Sequence, residues 1–159
     1  MTASGTATVT LPTDTQILIT RRFAAPRHLV YRAWTTPELI RRWWHADRGE
    51  VIDIQVDLRV GGRWRYVLLA TGGFEVAFHG EYREIEPDSR LVTTEIYEAA
   101  PEHPALTTAT FDDDGDGTMV TLLVEHTSQA GRDAQIDSGM EDGLQDALNL
   151  LEQVALAEG

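Results

Sequence analysis

Val120, Leu122, Val124 and His126 occupy alternate positions of one β-rich stretch, so the imidazole of His126 is carried to the same side as three aliphatic side chains. A histidine has the right ionisation range for a general base near neutral pH. That role also needs a partner and a substrate proton within about 3 Å, and the sequence supplies neither. His126 is therefore a weak catalytic candidate, with the Tyr66 hydroxyl as a second group that could shuttle a proton. Ser128 lies too close to His126 in the chain for a nucleophile and its base, and there is no Gly-x-Ser-x-Gly elbow. Asp112-Asp113-Asp114-Gly115-Asp116-Gly117 fits the first half of a calcium loop, but Leu123 stands where the closing bidentate Glu belongs. A solvated hairpin turn is the favoured reading of that run. His28, His45, His79 and His103 have no metal-ligand spacing, so neither a metal nor a cofactor is expected.

Residue types that are missing narrow the chemistry further. The chain has no Cys, and all 13 of its basic residues are Arg. Disulfides, thiolate nucleophiles, thiolate metal sites, Schiff bases and lysine-centred phosphate loops are excluded. A net charge of −13 repels polyanions, so nucleic acid and acidic membrane surfaces are not expected partners. Residues 1–65 carry 10 Arg against 6 acids, and residues 66–159 carry 3 against 20. Arg21, Arg22, Arg27, Arg32, Arg41, Arg42 and Arg48 could form a docking patch, but the favoured reading is solvated faces neutralised by acids of the second half.

The elements that must position these groups follow from periodicity. The 159 residues suit one domain, able to remove roughly 70% of its unfolded surface from water. Residues 1–14 read as a flexible lead-in, and 15–159 as the domain. Gln16 to Phe23 reads as a strand, apolar around Ile17 and Ile19. Pro26 opens a short helix with Leu29, Val30, Ala33 and Trp34 on one stripe, and Thr36-Pro37-Glu38 opens a second carrying Leu39, Ile40, Trp43 and Trp44 towards Gly49. From Val51 to Ser128 the period becomes two, giving about six further strands joined by tight turns, hence an antiparallel sheet. Trp64, Tyr66 and Leu68 share one face, continued by Phe74, Val76, Phe78 and Tyr82. Arg63, Arg65, Glu75, His79, Glu81 and Arg83 share the other, which is assigned to solvent. Ile136, Met140, Leu144, Leu148, Leu151 and Ala155 recur at helical intervals in the longest element, whose far side carries Glu141, Asp142, Gln145, Asp146, Asn149, Glu152 and Gln153. The class is α+β. No apolar run approaches the roughly 20 residues of a spanning helix, and the start lacks a leader pattern, so no membrane association and a cytoplasmic location are expected.

ITRRFAAPRHLVYRAWTTPELIRRWW, GGRW, FHGEYREIEPDSRLV and GMEDGLQDALNLLEQ resemble the bacterial Hsp90-ATPase-activator-homologue-like proteins of the START-like, or SRPBCC, superfamily. The resemblance runs from about Thr15 to Leu156. It implies a helix-grip fold: a curved antiparallel sheet of about seven strands, two short helices after the first strand, and a long C-terminal helix packed on the concave face with a cavity between them. Gly139-Met140 departs from a Gly-Trp common in the family, and Asp133 to Asp137 lacks a His common there, which points to a remodelled cavity mouth. The implied function is binding of a small hydrophobic molecule (lipid, aromatic or polyketide-like), favoured over catalysis. Trp44, Trp64, Tyr66, Phe78, Tyr82, His126, Met140 and Leu144 are its expected ligand-binding residues. A cyclase-, aromatase- or hydrolase-like enzyme using the same cavity is the alternative. An Hsp90-type chaperone partner is disfavoured by the acidic charge, and homodimerisation through a sheet edge is left open.

Overall fold

A computed structural model describes residues 6–159; the expected flexibility of residues 1–5 lies outside the described residues. Eight strands form one sheet: β1 (Thr8–Thr10), β2 (Gln16–Phe23), β3 (Gly49–Val56), β4 (Arg63–Ala70), β5 (Glu75–Glu86), β6 (Arg90–Tyr97), β7 (Ala105–Asp114) and β8 (Gly117–His126). Their order across the sheet is β1-β2-β8-β7-β6-β5-β4-β3, and every neighbouring pair is antiparallel. Short α1 (Arg27–Thr35) and α2 (Pro37–Ile40) follow β2, and α3 (Gln129–Asp137) and α4 (Met140–Ala157) close the chain. This is the helix-grip, with one strand more than the count expected from periodicity. The addition is β1, three residues paired on the edge of β2 within the stretch that composition alone reads as loose.

Curvature is built in by two bulges, between Val51 and Asp53 on β3 and between Tyr82 and Glu84 on β5. An extra residue in one strand bends it and increases the local twist. The sheet thereby curls around α4. Along β2 burial alternates strictly, with Ile17, Ile19, Arg21 and Phe23 turned inward. The innermost core lies where α1 and α4 meet this half of the sheet: Phe23, Val30, Ile40, Phe111 and Leu151 are fully buried. Tyr31 and Trp34 both pack on the Phe111 ring in T-shaped contacts, at centroid distances of 5.6 and 5.5 Å.

Several expectations need correction. The terminal pattern, continuous by periodicity, is two helices, because Gly139 adopts φ +80° and turns the chain between α3 and α4. Ser128 caps α3 by accepting the Gly131 N–H at 3.1 Å. Regular helix α2 ends at Ile40, and Arg41 to Asp47 continue as turns. Phe74 does not join the inner face but sits in the β4–β5 turn after Gly72 and Gly73, 60% exposed. Glu152, expected on the wet side of the terminal helix, is buried. It pairs with the inward Arg21 at 3.5 Å and accepts the Ala24 N–H at 2.8 Å.

Of the other six arginines in the possible docking patch, five find acids of the second half, and Arg41 has no ion pair among the described residues. Arg22 meets Asp114 and Asp116, Arg27 meets Asp113, Arg32 and Arg42 meet Glu158, and Arg48 meets Asp146, at 2.8–3.7 Å. Three carboxylates of the Asp112–Gly117 run, those of Asp113, Asp114 and Asp116, are thus engaged by arginines at a two-residue hairpin turn between β7 and β8. Among the described residues no helix is long and apolar enough to cross a membrane.

Candidate ligand cavity

The inner faces of β4, β5, β6, β7 and β8 and the first turns of α4 do not meet. They enclose a cavity of about 510 Å³. Its size lies in the range of small-molecule sites. Four of the expected residues, Trp64, Tyr66, Phe78 and Tyr82, line it from the sheet, Trp44 lines it from the turns after α2, and Met140 and Leu144 line it from α4.

Local sequence explains how the aromatic wall is assembled. In the β4–β5 ladder Tyr66 faces Phe78 and Trp64 faces Gly80. A Cβ at Gly80 would lie 2.7 Å from Trp64 Nε1 and 1.8 Å from the Thr94 carbonyl oxygen. Glycine is required there for the indole to lie across the strand. Trp64 then meets Tyr66 at 4.8 Å between centroids, and Trp44, carried in by the turns after α2, makes T-shaped contacts with Tyr66 and Phe78 at 5.3 and 5.9 Å. These are favourable edge-to-face and tilted geometries. Trp43 belongs mainly to the core, where its Nε1–H donates to the Ala33 carbonyl at 2.9 Å.

One end of the cavity is bounded by the exposed residues Arg48, Ser138 and Gly139, which places its mouth between the turn after α2 and the α3–α4 junction. Arg48 ties the two sides together, donating to the Asp146 carboxylate at 2.8 Å and to the Ala46 carbonyl at 2.6 Å. Ala46 and Asp47 both hold positive φ, 50° and 60°. Left-handed backbone without glycine is a strained arrangement that costs about 1–3 kcal/mol per residue. His45 braces it by accepting the Asp47 N–H on Nδ1 at 2.9 Å.

His126 is the expected residue that does not reach the cavity. Its strand parity is inward, opposite Ala105, but it is the last residue of β8, and α3 covers it there. Nε2 lies 2.6 Å from Gln135 Oε1, and a Cβ at Gly131 would be 3.3 Å from Nδ1. Tyr66, the other proton-shuttle candidate, does line the cavity. Burial holds its phenol well above the usual range, reinforced by the nearby Tyr82 and Glu95, so it is a donor rather than a base. Burial likewise raises the Tyr82 phenol.

The residue that sequence reasoning missed is Glu95. On β6 the inner-face row is Leu91, Thr93 and Glu95, all lining the cavity. Enclosure by protein pushes the Glu95 carboxyl above the ordinary carboxylate range. Among the described residues it has no hydrogen bond or ion pair. Thr107, opposite Thr93 on β7, also lines the cavity with a buried Oγ1 that has no partner among the described residues. An apolar wall thus carries a small polar group made of Glu95, Thr93, Thr107 and the two tyrosine hydroxyls.

A curved antiparallel sheet gripping a terminal helix, with a ligand-sized cavity between them, defines a START-like helix-grip domain. The profile of the family described as activator of Hsp90 ATPase homolog 1-like protein matches residues 24–155, and the chain belongs to that family. Among solved structures it is similar to a protein of Rhodobacter sphaeroides at 24% identity and a TM-score of 0.88, covering 95% of this chain and 99% of that one. A Nitrosomonas europaea protein matches at 24% identity and a TM-score of 0.82, with 93% and 98% covered. An AHSA1-like protein from Aeromonas hydrophila matches at 23% and 0.68, with 89% and 94% covered. At these identities the likeness concerns the fold. No curated protein matches the chain significantly.

Proposed function

We propose that this chain is a binding domain for a small, largely apolar molecule held between the sheet and α4. The observation that carries the reading is the cavity of about 510 Å³ walled by Trp44, Trp64, Tyr66, Phe78, Met140 and Leu144. Binding is preferred to a cyclase-, aromatase- or hydrolase-like reaction because neither residue expected to shuttle a proton supplies a base to the cavity. His126 lies beneath α3, and the Tyr66 phenol is held protonated. An Hsp90-type partner is suggested by the family description alone, and the net charge of −13 disfavours docking on an acidic chaperone.

Native mass spectrometry of the protein purified without added ligand, followed by thermal melts against lipid, aromatic and polyketide panels, tests this. A co-purified small mass, or a midpoint raised by one chemical class, supports the reading. A clean apo mass with no shift across all three panels sinks it.

A further inference from the structure

Granted that the cavity holds an apolar molecule, a reading on which the occupant's chemistry rests, the group that discriminates among such molecules is the one carboxyl group on its wall. Glu95 is the carboxylate on the cavity wall. The other residues facing the cavity with formal or titratable charge are Tyr66 from β4, Tyr82 from β5, and His45 and Arg48 at the mouth. β2, β7, β8, α3 and α4 contribute only uncharged side chains to the wall: Ile19, Thr107, Leu122, Gln135, Met140 and Leu144 among them. Arg48 is committed to Asp146 and the Ala46 carbonyl, and both ring nitrogens of His45 contact the backbone, at 2.9 and 3.1 Å. Among the described residues, therefore, no cation answers Glu95.

A carboxylate enclosed without a partner is costly, and a protein normally removes it or pairs it. The same cavity is lined by the rings of Trp44, Trp64, Tyr66, Phe78 and Tyr82, and the negative faces of such rings attract cations. The molecule as a whole carries −13, so its field also draws positive solutes. We propose that the cavity selects an apolar amine, its ammonium group paired with Glu95 and its hydrocarbon body among Trp44, Trp64, Tyr66 and Phe78. Thr93 and Thr107 are placed on the neighbouring wall to accept the remaining ammonium hydrogens.

The test compares 1-octylamine with 1-octanol and 2-octanone by calorimetry at pH 7 on the full chain, in wild type and Glu95→Gln. The expected result is wild-type affinity for octylamine about ten- to a hundredfold above that for octanol, the usual worth of a charged hydrogen bond. Glu95→Gln should erase that preference while octanol binding persists. Persistent octanol binding also shows that the variant is folded. An independent check needs no variant: octylamine affinity should rise with increasing pH as the carboxyl ionises, with octanol affinity flat.

Equal wild-type affinities, a preference surviving Glu95→Gln, or a flat octylamine profile would overturn amine selection and leave the cavity reading standing. Tighter binding of 2-octanone than octylamine would overturn it as well, making Glu95 a protonated donor. If none of the three probes binds, the cavity reading itself falls along with the inference.

Discussion

Two carboxylates three residues apart show how strongly a side of the sheet governs a single side chain. Glu95 faces the cavity and is pushed up by burial. Glu98, just past the end of β6 on the outer side, accepts two hydrogen bonds from Arg65 at 2.8 and 3.0 Å and one contact from His79 at 2.9 Å. The Arg65 hydrogen bonds are the main reason its carboxyl lies at about 2. Linkage then gives the two residues opposite effects on stability. A carboxyl depressed in the folded state contributes stability above its unfolded value of about 4.5, lost as pH falls towards 2. Acid titration of the melting midpoint should therefore fall more steeply for wild type than for Glu98→Gln between pH 4.5 and 2; parallel curves would show the Arg65 pairing to be without consequence. Glu95 holds its proton more tightly when folded, so stability declines as pH rises above 4.5. Glu95→Gln should melt higher than wild type at pH 7 and no higher at pH 4. A loss of midpoint at pH 7 would mean that the carboxylate has a stabilising partner after all. Glu95 was illegible in the sequence for a simple reason: in Thr94-Glu95-Ile96 an alternation rule turns the isoleucine inward and the acid outward, and only the surrounding cavity reverses that choice.

At the level of elements, the grip depends on one buried pair. Arg21 projects inward from β2 beneath α4, its guanidinium 4.5 Å above the Phe23 ring, donating to Asn149 at 2.8 Å and meeting Glu152 at 3.5 Å. Removing one partner of a buried pair leaves an uncompensated charge and costs about 3–5 kcal/mol. Glu152→Ala should therefore lower the melting midpoint by on the order of 10 °C for a chain of this size. A change of about 2 °C or less, the shift worth under 1 kcal/mol, would show that α4 is held by its apolar stripe alone. Periodicity placed Ile17, Ile19 and the Leu148–Leu151 stripe correctly, since each lies in an uninterrupted alternating or helical pattern. It failed at Arg21 and Glu152, because a charge on a core-facing position can be recognised only when its partner, 131 residues away, is known. It failed likewise at Gly139, where the apolar spacing runs on through a backbone turn. For Gly139→Ala the left-handed φ predicts a loss of about 1–2 kcal/mol, measurable by urea unfolding, and a neutral result would mean that the α3–α4 junction adjusts freely. Seven of the eight expected ligand-binding residues line the cavity, six of them because strand parity and helical spacing fix which way they face, and Trp44 from the turns after α2. His126 obeys the same parity, but parity does not reveal where along a strand the cavity ends and α3 begins.

For the whole molecule, a void of about 510 Å³ means that α4 and the sheet forgo part of the packing that would otherwise stabilise a domain of 159 residues. An occupant returns stability by mass action, about 2.7 kcal/mol at a concentration one hundred times its dissociation constant. Filling the void covalently should do the same and simultaneously close the site. Leu144 lines the cavity from α4 and is only partly buried, so a larger side chain there points into open volume. Leu144→Trp should leave the apo midpoint unchanged or raised, while abolishing any rise produced by a bound probe such as octanol. The sign of the effect discriminates between two states of the molecule. Were the sheet and α4 closed on each other in solution, the indole would overpack the core, costing about 1–3 kcal/mol, and the midpoint would drop. A raised midpoint with a lost ligand response is therefore expected only of a fold that keeps its cavity open for an occupant, and a lowered one would remove the physical basis for binding there.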